Sequence, residues 1–202
     1  MMSKNLIYVR HGKKDGENIA KDALAAITKS GIPMVNDLCT GQKIRIHDGT
    51  EYDRTRQTVK AYEVFLVGIQ ENDGVDCEIV GYIPADPRLG NKALFDEWTA
   101  NPDVTADATT RNWYRAFEDY NPMFITRVQL GALAALRDIF AQAEDGDLIL
   151  SVGHTPMIEW SAFACDPYEN ISRDLKLAEL TGFIFTEELG EITVTGFIEA
   201  EI

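Results

Sequence analysis

The chain has 202 residues, of which 45% are hydrophobic and 26% charged, as is typical of a globular protein with a sizeable core. Its formal net charge of −14 argues against a nucleic-acid partner and an anionic membrane surface, because both require clustered Lys and Arg side chains. The sequence shows no signal peptide, no apolar run of about 18 residues and no C-x-x-C pair, so we expect a cytoplasmic protein without a disulfide scaffold or zinc ribbon.

Apolar spacing in the first part of the chain alternates between the periods of strands and helices. In chain order we predict a strand over 5–10, a helix over 17–30, a short helix from Leu38 to Lys43, a strand from Ile44 to His47, a helix from Glu51 to about Ile69 and a strand from Cys77 to Ile83.

The second part of the chain opens with an irregular, proline-containing segment over 84–125. We interpret it as an insertion above the carboxyl edge of the sheet, with helical pieces near 91–98 and 109–120. Beyond it we predict a helix over 124–143, a strand over 148–152, a helix opening at Thr155 and Pro156, and a closing hairpin of strands near 180–187 and 191–197. Strands alternating with helices indicate an α/β sandwich with a mainly parallel sheet, in a single domain over 1–202.

Two histidines follow predicted strands at the point where each strand ends. Arg10-His11-Gly12 comes directly after the first apolar run, and Gly153-His154 comes after the strand over 148–152. In open α/β sheets, ligands bind outside the carboxyl ends of the strands. The sequence therefore predicts one shared site for the two histidines, although they lie far apart in the chain.

A third polar stretch, from Asp53 to Val59, lies at the start of the helix that follows the second main strand. Helix N-termini attract anions, and the guanidinium of Arg54 adds a two-pronged donor that fits phosphate oxygens. Two arginines and two histidines in one place suit a phosphoryl group. The arginines neutralise its oxygens, one neutral histidine attacks phosphorus, and the other donates to the oxygens. This scheme uses neither a metal ion nor a cofactor.

Three motifs stand at these strand and helix ends: Ile7-Tyr8-Val9-Arg10-His11-Gly12, Arg54-Thr55-Arg56-Gln57-Thr58 and Val152-Gly153-His154-Thr155-Pro156. In this order they resemble the histidine phosphatase superfamily, which contains the cofactor-dependent phosphoglycerate mutases and many broad phosphatases. The resemblance implies a three-layer, mutase-like α/β/α sandwich. It also implies that His11 is the phosphorylated nucleophile, that Arg10 and Arg54 clamp the phosphate, and that His154 is the second pocket histidine.

Two positions depart from the pattern of this family. Asn91 stands where many members have the glutamate that protonates the leaving oxygen, and an amide is not acidic enough for that role. Asp86, Asp96 or Glu97 could replace that glutamate, and we favour Asp86 because it is nearest to the strand end. Asn18 is one position away from the asparagine that contacts phosphate in the mutases, so it is a weak phosphate-binding candidate.

The leading interpretation is a metal-independent phosphatase that acts through phospho-His11 on a small phosphorylated substrate or a phosphoprotein. One alternative is a phosphoglycerate-type mutase, which the irregular segment over 84–125 and the absence of the mutase Glu-Ser pair after the first motif make less favourable. Another is a catalytically degraded domain that only binds a phosphorylated ligand, which Asn91 keeps open.

Overall fold

A computed structural model describes residues 3–90, 93, 96, 97, 100, 113–165, 171, 172 and 175–200, with the backbone alone described at 32, 33, 35, 36, 73, 113 and 114. In these residues the helices and strands are β1 (Lys4–Arg10), β2 (Lys14–Asp15), β3 (Asn18–Ile19), α1 (Ala23–Met34), β4 (Lys43–His47), α2 (Asp53–Asp73), β5 (Glu78–Ile83), α3 (Trp113–Tyr120), α4 (Pro122–Ala141), β6 (Leu148–Gly153), α5 (Met157–Cys165), β7 (Gly182–Glu188) and β8 (Glu191–Ile198).

Six strands form one sheet in the order β5-β4-β6-β1-β7-β8. The neighbours from β5 to β1 pair in parallel, whereas β7 and β8 form an antiparallel hairpin at one edge. This confirms the predicted mainly parallel sheet and its closing hairpin. Because β1 and β6 are adjacent and parallel, with Arg10 paired to Gly153, the two predicted histidine motifs leave the sheet side by side.

Side-chain alternation along the strands builds a core on each face of the sheet. On one face Leu6, Tyr8 and Ile149 pack with buried residues of α3, α4 and α5. On the other face Ile7 and Leu150 pack with buried residues of α1 and α2. Helices therefore cover both faces, which is the predicted three-layer α/β/α arrangement and explains why the central strands are continuously apolar.

The predicted helix over 17–30 is wrong at both ends. Its first residues form part of the short β2–β3 hairpin, which turns at Gly16 with a φ of +62°, so α1 begins only at Ala23. At the other end α1 runs through Gly31 to Met34, because Gly31 permits close packing rather than ending the helix. A Cβ at Gly31 would lie 2.9 Å from a ring carbon of Phe65 on α2.

Two further boundaries differ from the sequence prediction. The predicted helix from Leu38 to Lys43 is instead a π-helical turn over Val35–Cys39 that continues α1, and Lys43 already belongs to β4. The helix predicted to open at Thr155 begins at Met157, although its backbone bonds reach back to His154, whose carbonyl accepts the N–H of Ile158 at 3.1 Å. Shifts of one or two residues are ordinary at helix ends.

The segment predicted as an insertion over 84–125 is described only in part. Helix α3 confirms the predicted helical piece near 109–120, and Ala93, Asp96 and Glu97 are helical within the piece predicted near 91–98. Asn91 lies outside the described residues, and the placement of this segment over the site stays a prediction. Of the helices that the structure describes, none is both long and apolar enough to cross a membrane.

Candidate active site

The structure brings His11 and His154 together at the carboxyl edge of the sheet. His11 follows β1 and His154 follows β6, and the His11 N–H donates to the Gly153 carbonyl at 3.0 Å. The ring centroids of the two histidines lie 5.0 Å apart, with the rings inclined at 63°. Both side chains are buried, with exposed fractions of 5% and 2%. One ligand atom placed here can therefore contact both rings.

A backbone hydrogen bond fixes the tautomer of His11. Its Nδ1 lies 2.7 Å from the carbonyl oxygen of Gly12, and because a carbonyl only accepts, Nδ1 carries the proton. The lone pair then resides on Nε2. The Gly12 N–H in turn donates to Thr58 Oγ1 at 3.2 Å, and the Thr58 hydroxyl donates to the Arg54 carbonyl at 2.8 Å. The motif from Arg54 to Thr58 thus supports the loop that orients His11.

Arg10 and Arg54 each present a buried donor without an acceptor. Arg10 Nη1 donates to the Leu177 carbonyl at 2.6 Å, whereas the guanidinium of Arg54 lies 4.7 Å from the centre of the Tyr52 ring. The Nε–H of each arginine is buried and finds no hydrogen-bond acceptor among the described residues. Buried donors are normally satisfied, so two such groups beside two histidines indicate a place for an anion.

The pocket keeps both histidines neutral near pH 7. Burial lowers the pKa of His11 to about 4, and the charges of Arg54, Arg10 and Lys14 add to the decrease, while the hydrogen bond to Gly12 opposes it. Burial and the same charges lower the pKa of His154 to about 2. A neutral His11 is what nucleophilic attack needs, and an arriving phosphate dianion would raise both pKa values.

We predict that His11 and His154 stay neutral in the free protein at pH 5.5. An ordinary histidine with a pKa of 6.5 is about 90% protonated there, whereas a group with a pKa near 4 is almost fully deprotonated. Ring ¹⁵N shifts of the three histidines, assigned with single-histidine variants, would measure this, and the urea-unfolded chain supplies the reference. Titration of both rings near pH 6.5 in the folded protein would contradict the prediction.

Tyr52 belongs to the pocket, although the sequence did not single it out. Its ring packs edge-on against His154, with centroids 4.8 Å apart, while Arg54 lies over its face. On the other side of His154, Nδ1 shares a 3.4 Å hydrogen bond with Thr50 Oγ1, which also bonds to Thr55 Oγ1 at 2.9 Å. Tyr52 therefore contacts both Arg54 and His154 and fixes their side chains relative to each other. The only signal in the sequence was an aromatic residue directly before the Asp53–Val59 stretch.

Tyr52→Leu is expected to weaken the binding of orthovanadate about tenfold, because Arg54 loses a cation–π contact and His154 loses its packing surface. Tyr52→Phe keeps the ring and should change vanadate affinity, measured by calorimetry, less than about threefold. Tyr82→Leu is the matched control, since Tyr82 is 60% exposed and its hydroxyl donates to Glu63 on α2. Equal effects of the Phe and Leu variants would show that the hydroxyl, not the ring, matters.

The proposed replacements for the missing acid have different surroundings. Asp86 accepts hydrogen bonds from the backbone N–H and the guanidinium of Arg88. Burial raises the pKa of Asp86, but these bonds outweigh burial and hold it below its ordinary value. Glu97 binds Arg127 at 2.6 Å. Burial raises the pKa of Tyr52 and the charge of Asp96 raises it further, so Asp96 is within electrostatic reach of the pocket.

The side chain of Asn18 is hydrogen-bonded to the motif from Arg54 to Thr58. Its side-chain oxygen accepts from Gln57 Nε2 at 2.6 Å, and Gln57 Oε1 accepts from the Ile19 N–H at 2.9 Å. The phosphate-binding role of Asn18 stays a prediction. Among the described residues, no group of three or more His, Cys, Asp or Glu side chains is placed to hold a metal ion.

Comparisons of the sequence find no match, whereas comparison with solved structures finds similar folds. No protein-family model and no curated protein matches the chain. A phosphoserine phosphatase mutant from Entamoeba histolytica in complex with phosphoserine matches with a TM-score of 0.58 and 14% identity, over 100% of this chain and 98% of that chain. A mycobacterial glucosyl-3-phosphoglycerate phosphatase matches with a TM-score of 0.53 and 11% identity. The protein histidine phosphatase SixA complexed with tungstate matches with a TM-score of 0.50 and 11% identity, and both matches cover 98% of this chain and 97% of the other chain.

These matches extend over nearly the whole of each chain, and at such low identity they concern the fold. They agree with the resemblance carried by the three motifs, whose histidines and arginines stand at the ends of β1 and β6 and the start of α2. The chain therefore has the three-layer α/β/α fold of these solved phosphatase structures.

Proposed function

We propose that this protein is a phosphatase that hydrolyses phosphomonoesters or phosphohistidine, without a metal ion, through a phosphohistidine intermediate at His11. The observation that carries the proposal is the pairing of His11, which is neutral and protonated at Nδ1, with the buried His154. Their ring centroids lie 5.0 Å apart. The two unsatisfied arginine Nε–H groups beside them support it. The named structural neighbours are phosphatases, which agrees with this reaction class.

In the first step the phosphoryl oxygens bind Arg10 and Arg54, whose free Nε–H groups are already buried and oriented. The lone pair of His11 Nε2 attacks phosphorus in line, an N–P bond forms, and the bond from phosphorus to the ester oxygen breaks. The leaving group departs with that electron pair and takes up a proton. The Gly12 carbonyl stabilises the positive charge that develops on the His11 ring.

In the second step water attacks the phosphohistidine. A new P–O bond forms as the N–P bond breaks, the water loses a proton, and His11 returns to its neutral form with release of inorganic phosphate. His154 is within reach of the same phosphoryl group, and the dianion raises its pKa, so it serves as a donor to the equatorial oxygens while phosphate is bound.

The proton donor for the leaving group is the open part of this mechanism. We keep Asp86 as the candidate, although donation would require it to separate from Arg88 and gain a proton. General acid catalysis contributes about 10²–10⁴-fold for a poor leaving group. Asp86→Asn should therefore slow hydrolysis of an alkyl phosphate about 100-fold and that of an aryl phosphate much less, if Asp86 is the acid.

The test uses the full chain with p-nitrophenyl phosphate, with and without EDTA, followed by rapid acid-free quenching after incubation with ³²P-labelled substrate. We expect chelator-resistant turnover and a phosphoenzyme that is labile to acid and stable to base, as a phosphorus–nitrogen bond is. Phosphate binding without turnover would favour a binding domain. Phosphoglycerate interconversion that depends on a bisphosphate primer would favour a mutase, and turnover abolished by EDTA would overturn the metal-independent mechanism.

A further inference from the structure

Glu159 is a buried carboxyl that the mechanism does not use. It lies in the first turn of α5, five positions after His154, and only 3% of it is exposed. Its neighbours along the helix, Ile158 and Trp160, belong to the hydrophobic core. Placing a carboxyl in such surroundings is costly, so its presence calls for a functional explanation.

The backbone of a single residue, Leu177, connects Glu159 to the first clamp arginine through the two successive peptide groups that it joins. Glu159 Oε1 accepts from the N–H of Leu177 at 3.3 Å, and the carbonyl of the same residue accepts from Arg10 Nη1 at 2.6 Å. The segment that follows also holds the Arg10 backbone. The Arg10 N–H donates to the Thr181 carbonyl at 2.8 Å, and the Leu180 N–H donates to the Arg10 carbonyl at 3.1 Å.

This arrangement leaves one part of Arg10 available to a ligand. Nη1 is occupied by the Leu177 carbonyl, while Nε–H is buried without an acceptor among the described residues. The direction of that Nε–H therefore depends on where the Leu177 carbonyl lies. The carboxyl of Glu159 holds the backbone of the same residue at its N–H, one peptide group before that carbonyl.

We propose that Glu159 is a positioning residue that holds the backbone of Leu177 and, through the Leu177 carbonyl, the Arg10 guanidinium in the orientation that binds a phosphoryl group. The inference deepens the proposed function, because it names a residue behind the phosphate clamp. It does not require turnover, since it concerns the binding of a tetrahedral anion.

The electrostatics around Glu159 agree with this role. Burial raises the pKa of Glu159 to about 7, against the opposing effects of the backbone N–H groups, Thr155 and the positive charge of Arg10. The groups facing the carboxyl are Tyr8 and Arg10 on β1 and Thr155 ahead of α5. Among the described residues, the positive charge that lowers the pKa of Glu159 is that of Arg10, so the two side chains lie within electrostatic reach of each other.

The test measures orthovanadate binding to the full chain by calorimetry. Glu159→Leu removes the acceptor and should weaken binding about tenfold, whereas Glu159→Gln retains an acceptor oxygen and should stay within about threefold of the unmodified protein. Ser161→Ala is the matched control, because Ser161 is buried on the same helix and bonds only to the Met157 carbonyl in the described structure. Its binding should be unchanged.

A double-mutant cycle separates positioning from a general structural effect. In an Arg10→Lys background, Glu159→Leu should weaken vanadate binding less than about twofold further, because it acts through Arg10. If the losses multiply, or if Glu159→Leu binds as tightly as the unmodified protein, the inference is wrong.

A second measurement applies if Glu159→Leu does not fold. The ¹H–¹⁵N resonance of Arg10 Nε–H should move in the smaller variant Glu159→Ala, which also removes the acceptor, while that of Arg54 Nε–H stays in place, and an unmoved Arg10 resonance would overturn the proposal. Vanadate binding without any hydrolysis would contradict the proposed function alone, and it would leave this cycle as a valid test of Glu159.

Discussion

Replacing His11 by alanine is expected to lower turnover of p-nitrophenyl phosphate by about 10⁴-fold or more, because the proposed mechanism forms its covalent intermediate on His11. Phosphate affinity should change far less, since Arg10 and Arg54 remain in place. The measurement is kcat from steady-state hydrolysis together with vanadate binding by calorimetry. The expected pattern is thus a loss of kcat with a nearly unchanged anion affinity.

His47 provides a control within the same chain. It is fully buried, and its Nδ1 accepts hydrogen bonds from Ser151 at 2.7 Å and from the Gly49 N–H at 3.2 Å, as expected of a structural histidine. His47→Asn should lower stability but keep turnover of the folded fraction within about tenfold. If His11→Ala retained full turnover, a nucleophile at His11 would be excluded. If the unmodified chain bound vanadate without turnover, the binding-domain alternative would gain support.

The main strands were predictable because their burial leaves a simple pattern. Residues from Leu6 to Val9 are all fully buried, since helices cover both faces of the sheet, and only a continuous apolar run satisfies that position. The C-terminal end of α1 was not predictable in the same way. The helix was predicted to end before Gly31, but Gly31 lets α1 approach Phe65, and such close packing between two helices leaves no local pattern.

The pocket residues likewise fall into those that the sequence could predict and those that it could not. Arg10, His11 and His154 could be placed from the sequence, because each lies at the end of a strand, or directly after it, and the parallel sheet sets the direction of that strand. Tyr52 and Glu159 could not be. Tyr52 contacts His154, and Glu159 is linked to Arg10 by hydrogen bonds to the backbone of Leu177, so both roles arise from segments that are distant in the chain.

Gly153→Ala is expected to lower kcat about 100-fold and to destabilise the fold by about 1–3 kcal/mol. A Cβ at Gly153 would lie 2.5 and 2.6 Å from Cε2 and Cζ of Tyr8 and would also meet its hydroxyl. The Tyr8 ring is fully buried in the core beside Phe185, so it has little room to move. The backbone of Gly153 must shift instead, and it carries His154 and accepts the His11 N–H at 3.0 Å.

Two further variants test whether the clash with Tyr8 causes the loss of kcat in Gly153→Ala. Gly68→Ala on α2 meets no atom within 4 Å and should raise stability by about 0.5–1 kcal/mol with unchanged kcat. Tyr8→Leu removes the obstructing ring, so in the Gly153→Ala background it should recover much of the lost kcat, even though it leaves a cavity and lowers stability further. Urea unfolding and specific activity of the folded fraction measure the two effects separately. If the double variant recovers kcat but not stability, the spacing of the two histidines limits the reaction. If kcat is unchanged in Gly153→Ala alone, this spacing does not depend on the end of β6.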